Sequence, residues 1–136
     1  MVLAGALGYT ELGRDLQQSL LTGRQLVARP QILNLGEVKS GDQVCCGFTL
    51  RNVGLRSLWV LGVQVDCACI LTSELPVQLR PLESRDVTLA VRVPVVKHSQ
   101  EADHLVRVLP NVDDANGPLI RIRFRMIPQE MALVSR

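Results

Sequence analysis

The stretch Gln43-Val44-Cys45-Cys46-Gly47-Phe48-Thr49-Leu50-Arg51-Asn52 decides the fold. Val44, Cys46, Phe48 and Leu50 alternate with Cys45, Gly47, Thr49 and Arg51, a period of two that sends one set toward a core and the other outward. That is a strand, with Cys46 on its core face, and Asn52-Val53-Gly54 supplies the turn that ends it.

The same grammar extends in both directions. Upstream, Ile32 to Val38 carries apolar Ile32, Leu33 and Leu35 and closes on the turn-forming Lys39-Ser40-Gly41-Asp42. Downstream, Ser57 to Val65 is rich in Leu, Trp and Val, with Trp59 as a partly exposed aromatic. After the loop Asp66-Cys67-Ala68-Cys69, Ile70 to Thr72 makes a brief strand before Pro76 interrupts pairing, and Gln78-Leu79 leads into a turn at Pro81-Leu82-Glu83-Ser84. Arg85 to Val93 places Val87, Leu89, Val91 and Val93 on one face, and Pro94 stops it.

Ala102 to Leu109 follows, and Asp113-Asp114-Ala115-Asn116-Gly117 has the chemistry of a reversal. In Leu119 to Ile127, Ile120, Ile122, Phe124 and Met126 point inward and Arg121, Arg123 and Arg125 outward. Short β-rich runs punctuated about every ten residues predict an all-β, immunoglobulin-like sandwich of seven strands over residues 30–128, with 129–136 a loose tail.

Ahead of Pro30 the period changes. Leu12, Leu16, Leu20 and Leu21 recur at helical spacing between Tyr9 and Val27, predicting a short amphipathic helix that packs lightly on the domain. Gly13 weakens it and Gly23 ends it. Met1 to Gly8 is apolar and small, far short of the roughly 20 residues that cross a bilayer. Its Ala4-Gly5-Ala6 fits the small-x-small pattern of a signal cleavage site. Met1 to Gly8 is read either as the remnant of a longer signal or anchor or as a plain disordered start; on the first reading, residues 1–29 are that remnant plus a linker helix, and the domain lies outside the cytoplasm, in the periplasm or at the cell surface, tethered to a membrane through its N-terminus.

With 136 residues, 47% of them hydrophobic, the chain can close one core but not two. A net charge of +2, from 15 basic and 13 acidic residues, sets up no field that selects nucleic acid. Aromatics at 3% leave no stacking platform for bases and an aliphatic core.

With the strands placed, Leu35-Gly36-Glu37-Val38 through Gly41 to Phe48, then Leu50-Arg51-Asn52-Val53-Gly54 and Cys67-Ala68-Cys69, resemble a bacterial immunoglobulin-fold family of unknown function with a Cys-Gly-Cys signature. That family is related to the Hydin-type (ASH) and major sperm protein domains. The resemblance spans roughly Ile32 to Val93. Leu35 stands where the family has an aromatic, Ala68 where it has Gly, and Leu82-Glu83-Ser84 in place of its Pro-Gly turn. The resemblance implies an extracytoplasmic, often membrane-tethered domain without known catalysis, and it implies no ligand.

Cys67 and Cys69 are the sharpest chemical feature. Two thiols one residue apart can hold a soft metal such as copper(I) or zinc, exchange with other thiols, or pair. A structural zinc site needs wider spacers and a second ligand pair, for which only Cys45-Cys46 is present. Cys45, Cys67 and Cys69 are the disulfide candidates, and the same three are the candidate metal ligands. Four cysteines allow three full pairings, and the choice among them stays open.

His98 and His104 are the two histidines. His104 beside Asp103 invites a general-base reading, but no nucleophile motif accompanies it, and both read as surface imidazoles. Asp113-Asp114 lacks the downstream glutamate of a calcium loop and reads as a turn. The Arg121, Arg123 and Arg125 stripe could grip an acidic partner, but reads first as charge protecting the edge of a last strand. No phosphate-binding loop or catalytic constellation emerges. The expected function is a non-catalytic extracytoplasmic module that binds a protein partner, with no cofactor; the alternative is a copper(I), zinc or thiol-redox module built on the Cys67/Cys69 loop.

Overall fold

In a computed structural model, residues 12–20, 25–111 and 117–129 are described. The expected leader at Met1 to Gly8, most of the reversal at 113–117 and the tail beyond 129 lie outside them. Among the described residues nine strands form, two more than the sequence pattern suggested: β1 (Leu26–Arg29), β2 (Ile32–Lys39), β3 (Gln43–Asn52), β4 (Leu58–Val65), β5 (Ile70–Leu71), β6 (Val77–Leu79), β7 (Ser84–Arg92), β8 (Gln100–Pro110) and β9 (Leu119–Ile127). They make two sheets, in the orders β1-β3-β7-β5 and β2-β9-β8-β4-β6.

The alternation read in β3 and β7 is realised as a nine-pair antiparallel ladder from Gln43↔Arg92 to Arg51↔Ser84. Because side chains alternate across each strand, Phe48, Leu50, Val87, Leu89 and Val91 all face the second sheet and are buried. From that sheet Leu58, Val60, Val106, Val108, Ile120, Ile122 and Phe124 close the core. Apart from Phe48, Phe124 and Met126 it is built of aliphatic side chains, and the sandwich and its immunoglobulin-like character stand as expected.

Asn52 is the polar pin of this core. Fully buried at the end of β3, it donates from Nδ2 to the carbonyls of Arg56 (2.8 Å) and Leu79 (3.0 Å). Its Oδ1 accepts from the Gly54 amide at 2.9 Å and from Gln25 Nε2 at 3.2 Å. A buried amide costs free energy unless its hydrogen-bonding capacity is used, and here every capacity is used. The Asn-x-Gly of the sequence motif is thereby explained as a knot joining β3, β6 and the following turn.

Three expectations are corrected. Leu26–Arg29, assigned to the end of the linker helix, is a strand antiparallel to β3, with Leu26, Val27 and Ala28 buried. Tertiary pairing overrides a helical period that the flanking glycines had already weakened.

The helix itself, residues 12–20, does not dock through Leu16 or Leu20. Leu16 and Leu20 are exposed, while Asp15 is buried between two arginines. Arg29 Nε donates to Asp15 Oδ1 at 2.9 Å, Arg29 Nη2 to Oδ2 at 3.2 Å, and Arg51 Nε to Oδ2 at 2.7 Å.

Third, β9 is not an edge. It lies between parallel β2 and antiparallel β8, so the arginine stripe protects no open ladder. Its outward side chains lie on the open face of the five-stranded sheet, where Arg121 and Arg123 reach Asp103 at 3.3 and 3.7 Å. A bulge in β2 between Asn34 and Glu37 is accommodated by Gly36, whose φ of 70° is open to glycine at little cost.

Candidate functional site

β4 ends at Val65, and the chain passes through Asp66, Cys67, Ala68 and Cys69 into β5, crossing from the five-stranded sheet to the four-stranded one. Backbone bonds hold this crossing without help from the sulfurs: the Ile70 amide donates to the Cys67 carbonyl at 3.2 Å, and the Arg92 amide to the Cys69 carbonyl at 2.8 Å. Within the loop Cys67 and Cys69 are joined by a disulfide, their Cα atoms 5.1 Å apart. The Cys69 amide also donates to Cys67 Sγ at 3.2 Å.

Such a bond ties almost nothing together. In the chain-entropy account a ring of three residues gains about 1.6 kcal/mol, against about 4.7 kcal/mol for a loop of about 100 residues.

β8 runs antiparallel beside β4, pairing Val65 with Val106, and so brings His104 next to the loop. His104 Nδ1 lies 3.0 Å from Asp66 Oδ1, and Asp66 Oδ2 accepts from the Leu105 amide at 3.2 Å. Facing a carboxylate, Nδ1 is placed to donate, and Nε2 is the ring nitrogen left for other partners. The Phe124 ring, 5.8 Å away, flanks the imidazole. A ring nitrogen of His104 and both sulfurs lie within 4.8 Å of one another, all three residues half-buried.

The expected set Cys67, Cys69 and Cys45 is therefore brought together only in part. Cys45 pairs with Ala90 of β7, and β7 in turn pairs with β5, so a whole strand stands between Cys45 and the loop. Two strand spacings are roughly 10 Å, too far for a disulfide or a shared metal. Cys45 is an exposed free thiol on the outer face and Cys46 a half-buried one facing the core. Burial first, and then the neighbouring Cys45, pushes the Cys46 thiol above its ordinary pKa.

In the disulfide form the two sulfurs are bonded to each other and offer no thiolate to copper(I) or zinc. The acid next to His104 in the sequence is not its partner. Asp103 sits next to it in the chain but points to the arginines, because adjacent strand residues face opposite sides. The true partner, Asp66, is 38 positions away in sequence and is reached only through the β4–β8 register.

Two packed sheets around an aliphatic core, crossed by short loops, define an immunoglobulin-like sandwich domain. The chain belongs to the family of HYDIN/CFA65/VesB-like, Ig-like domains, whose model matches residues 25–125, in keeping with the Hydin-type resemblance of its motifs.

Among solved structures it is similar to the VesB protease of Vibrio cholerae, at 21% identity and a TM-score of 0.51 over 77% of this chain and 32% of that one. It is also similar to the ASH/PapD-like domain 7 of human CEP192 (12%, 0.50, 76% of this chain and 84% of that one). A third is the CsuC–CsuE chaperone–tip adhesion subunit complex of Acinetobacter baumannii (12%, 0.50, 78% and 58%). At these identities the likeness is one of fold, and the chain spans about a third of the Vibrio protein's length. No curated protein matches the chain. Among the described residues no helix is long and apolar enough to cross a membrane.

Proposed function

We propose that this domain is a non-catalytic protein-interaction module held outside the cytoplasm, docking a protein partner on the outer face of its five-stranded sheet. The carrying observation is what that face exposes. Trp59, Leu61, Leu105 and Leu119 are large apolar side chains left in water. The ladder sets Leu105 beside Arg121 and Leu119 beside Arg107, in adjoining rows. Apolar surface interleaved with arginine is the composition of a protein interface, where arginine and aromatic anchors carry much of the binding energy. The family's relation to chaperone and ASH-type folds supports the same reading.

Photocrosslinking from position 61, compared with position 85 on the opposite sheet, tests it. A discrete adduct formed from 61, absent from 85 and lost in Leu105→Lys supports the module; equal yields from both positions refute it. The compartment is supported by the Cys67–Cys69 disulfide, since such bonds persist in oxidising surroundings. Exposed Cys45 reports on it: a membrane-impermeant maleimide labels Cys45 in intact cells if the domain lies outside the cytoplasm, and only after lysis otherwise. Membrane tethering through the N-terminus belongs to this proposal and is checked by fractionation of the full-length protein.

A further inference from the structure

We propose that Cys67–Cys69 is a redox-active disulfide that exchanges with the dithiol of a partner protein, with His104 as its proton carrier and Asp66 as the residue that positions the imidazole. Three observations converge. The bond closes a loop whose ends are already anchored by the Ile70 and Arg92 amides, so it contributes little as a cross-link. Both sulfurs are half-buried at the surface, within reach of a second thiol and of the histidine nitrogen. Asp66, itself fixed by the Leu105 amide, holds the imidazole by Nδ1 and leaves Nε2 as the ring nitrogen that can exchange a proton.

The two sulfurs differ. Cys69 packs against the hydrophobic core, whereas Cys67 Sγ receives the Cys69 amide, a donor that favours negative charge on that sulfur. The exchange therefore runs through Cys67. A partner thiol gives its proton to His104 Nε2, and the resulting thiolate attacks Cys67 Sγ. The new partner–Cys67 bond forms as the Cys67–Cys69 bond breaks, its electron pair leaves on Cys69 Sγ, and His104 returns the proton there. The partner's second thiol then gives its proton to His104 Nε2, its thiolate attacks the partner sulfur bonded to Cys67, and Cys67 leaves as a thiolate under the Cys69 amide and takes that proton from His104. The partner is oxidised to a disulfide, the domain is reduced to a dithiol, and two electrons have moved.

The experiment uses the full chain and dithiothreitol as the dithiol probe, with reduction of Cys67 and Cys69 counted by alkylation and mass spectrometry from pH 6 to 9. Wild type is expected to be reduced at pH 7 at least ~10-fold faster than His104→Gln, a floor set below the roughly 10²–10⁴-fold of general acid–base effects. The gap should close toward pH 9, where the attacking thiol ionises unaided, and Asp66→Asn should fall between the two with a displaced pH profile.

With oxidised glutathione, Cys69→Ser should accumulate a mixed disulfide on Cys67, and Cys67→Ser should accumulate far less on Cys69. Melting curves that match wild type show that the His104→Gln and Asp66→Asn variants are folded; if His104→Gln is not, the Asp66→Asn profile and the glutathione trap decide. Equal rates and pH profiles in wild type and variants, or equal trapping at the two cysteines, overturn the proposal.

Discussion

Replacing Asp15 by alanine tests the claim that one carboxylate, not a leucine stripe, docks the N-terminal helix. Asp15 accepts three hydrogen bonds from Arg29 and Arg51, at 2.7 to 3.2 Å. Bonds to charged groups contribute roughly 1.5–3 kcal/mol each, and removing one member of a buried pair costs about 3–5 kcal/mol. The arginine side chains are 27% and 15% exposed and so recover water once the carboxylate is gone, which lowers the expected loss to about 2–3 kcal/mol.

With a urea dependence of about 1–3 kcal/mol per molar for a domain of this size, the midpoint should fall by about 1 M, and amides at 16–20 should exchange faster. Leu16→Ala serves as the contrast, since Leu16 is 41% exposed and its truncation should cost less than about 0.5 kcal/mol. A larger loss for Leu16→Ala than for Asp15→Ala, or helix exchange untouched by Asp15→Ala, refutes the reasoning.

Asn52→Ala should cost about 2–4 kcal/mol by chemical denaturation, because it strands the buried Leu79 carbonyl. Leu82 sits at φ 65°, a left-handed backbone that glycine adopts freely, so Leu82→Gly should raise stability by about 0.5–1 kcal/mol even after glycine's greater unfolded entropy, read as a higher melting temperature. Iodoacetamide at pH 8 should alkylate Cys45 at least ~10-fold faster than Cys46, as followed by peptide mapping; comparable rates would show the Cys46 thiol to be open. Because folding raises the Cys46 pKa, the folded state holds that proton more tightly. Its contribution to stability is present below the unfolded thiol's pKa and is lost as pH rises through the folded one, so a Cys46→Ala variant should show a flatter alkaline decline.

Much of the sandwich was legible in the chain, because a period of two is a local property. Val44 to Leu50, Val87 to Val93 and Ile120 to Met126 each announce an inward face without reference to any partner. Residues 26–29 were not legible, since four residues after a helical pattern carry no period of their own and become a strand only against β3. Asp15 was missed for a related reason: a carboxylate on a helix reads as solvated until two arginines from other elements surround it.

At the candidate site the same division holds. The spacing of Cys67 and Cys69 alone marked the loop as unusual and made a bond between them one of the open pairings. Which cysteines meet, and which acid meets His104, depended on strand order and register. β7 separates Cys45 from the loop, and the β4–β8 pairing carries His104 to Asp66. Alternation, turns and spacing are written between near neighbours in the chain, so the sequence by itself determined the β architecture and the position of the dithiol loop. The neighbours of that loop come from residues tens of positions away, and only the tertiary structure, through strand pairing, decided what surrounds it.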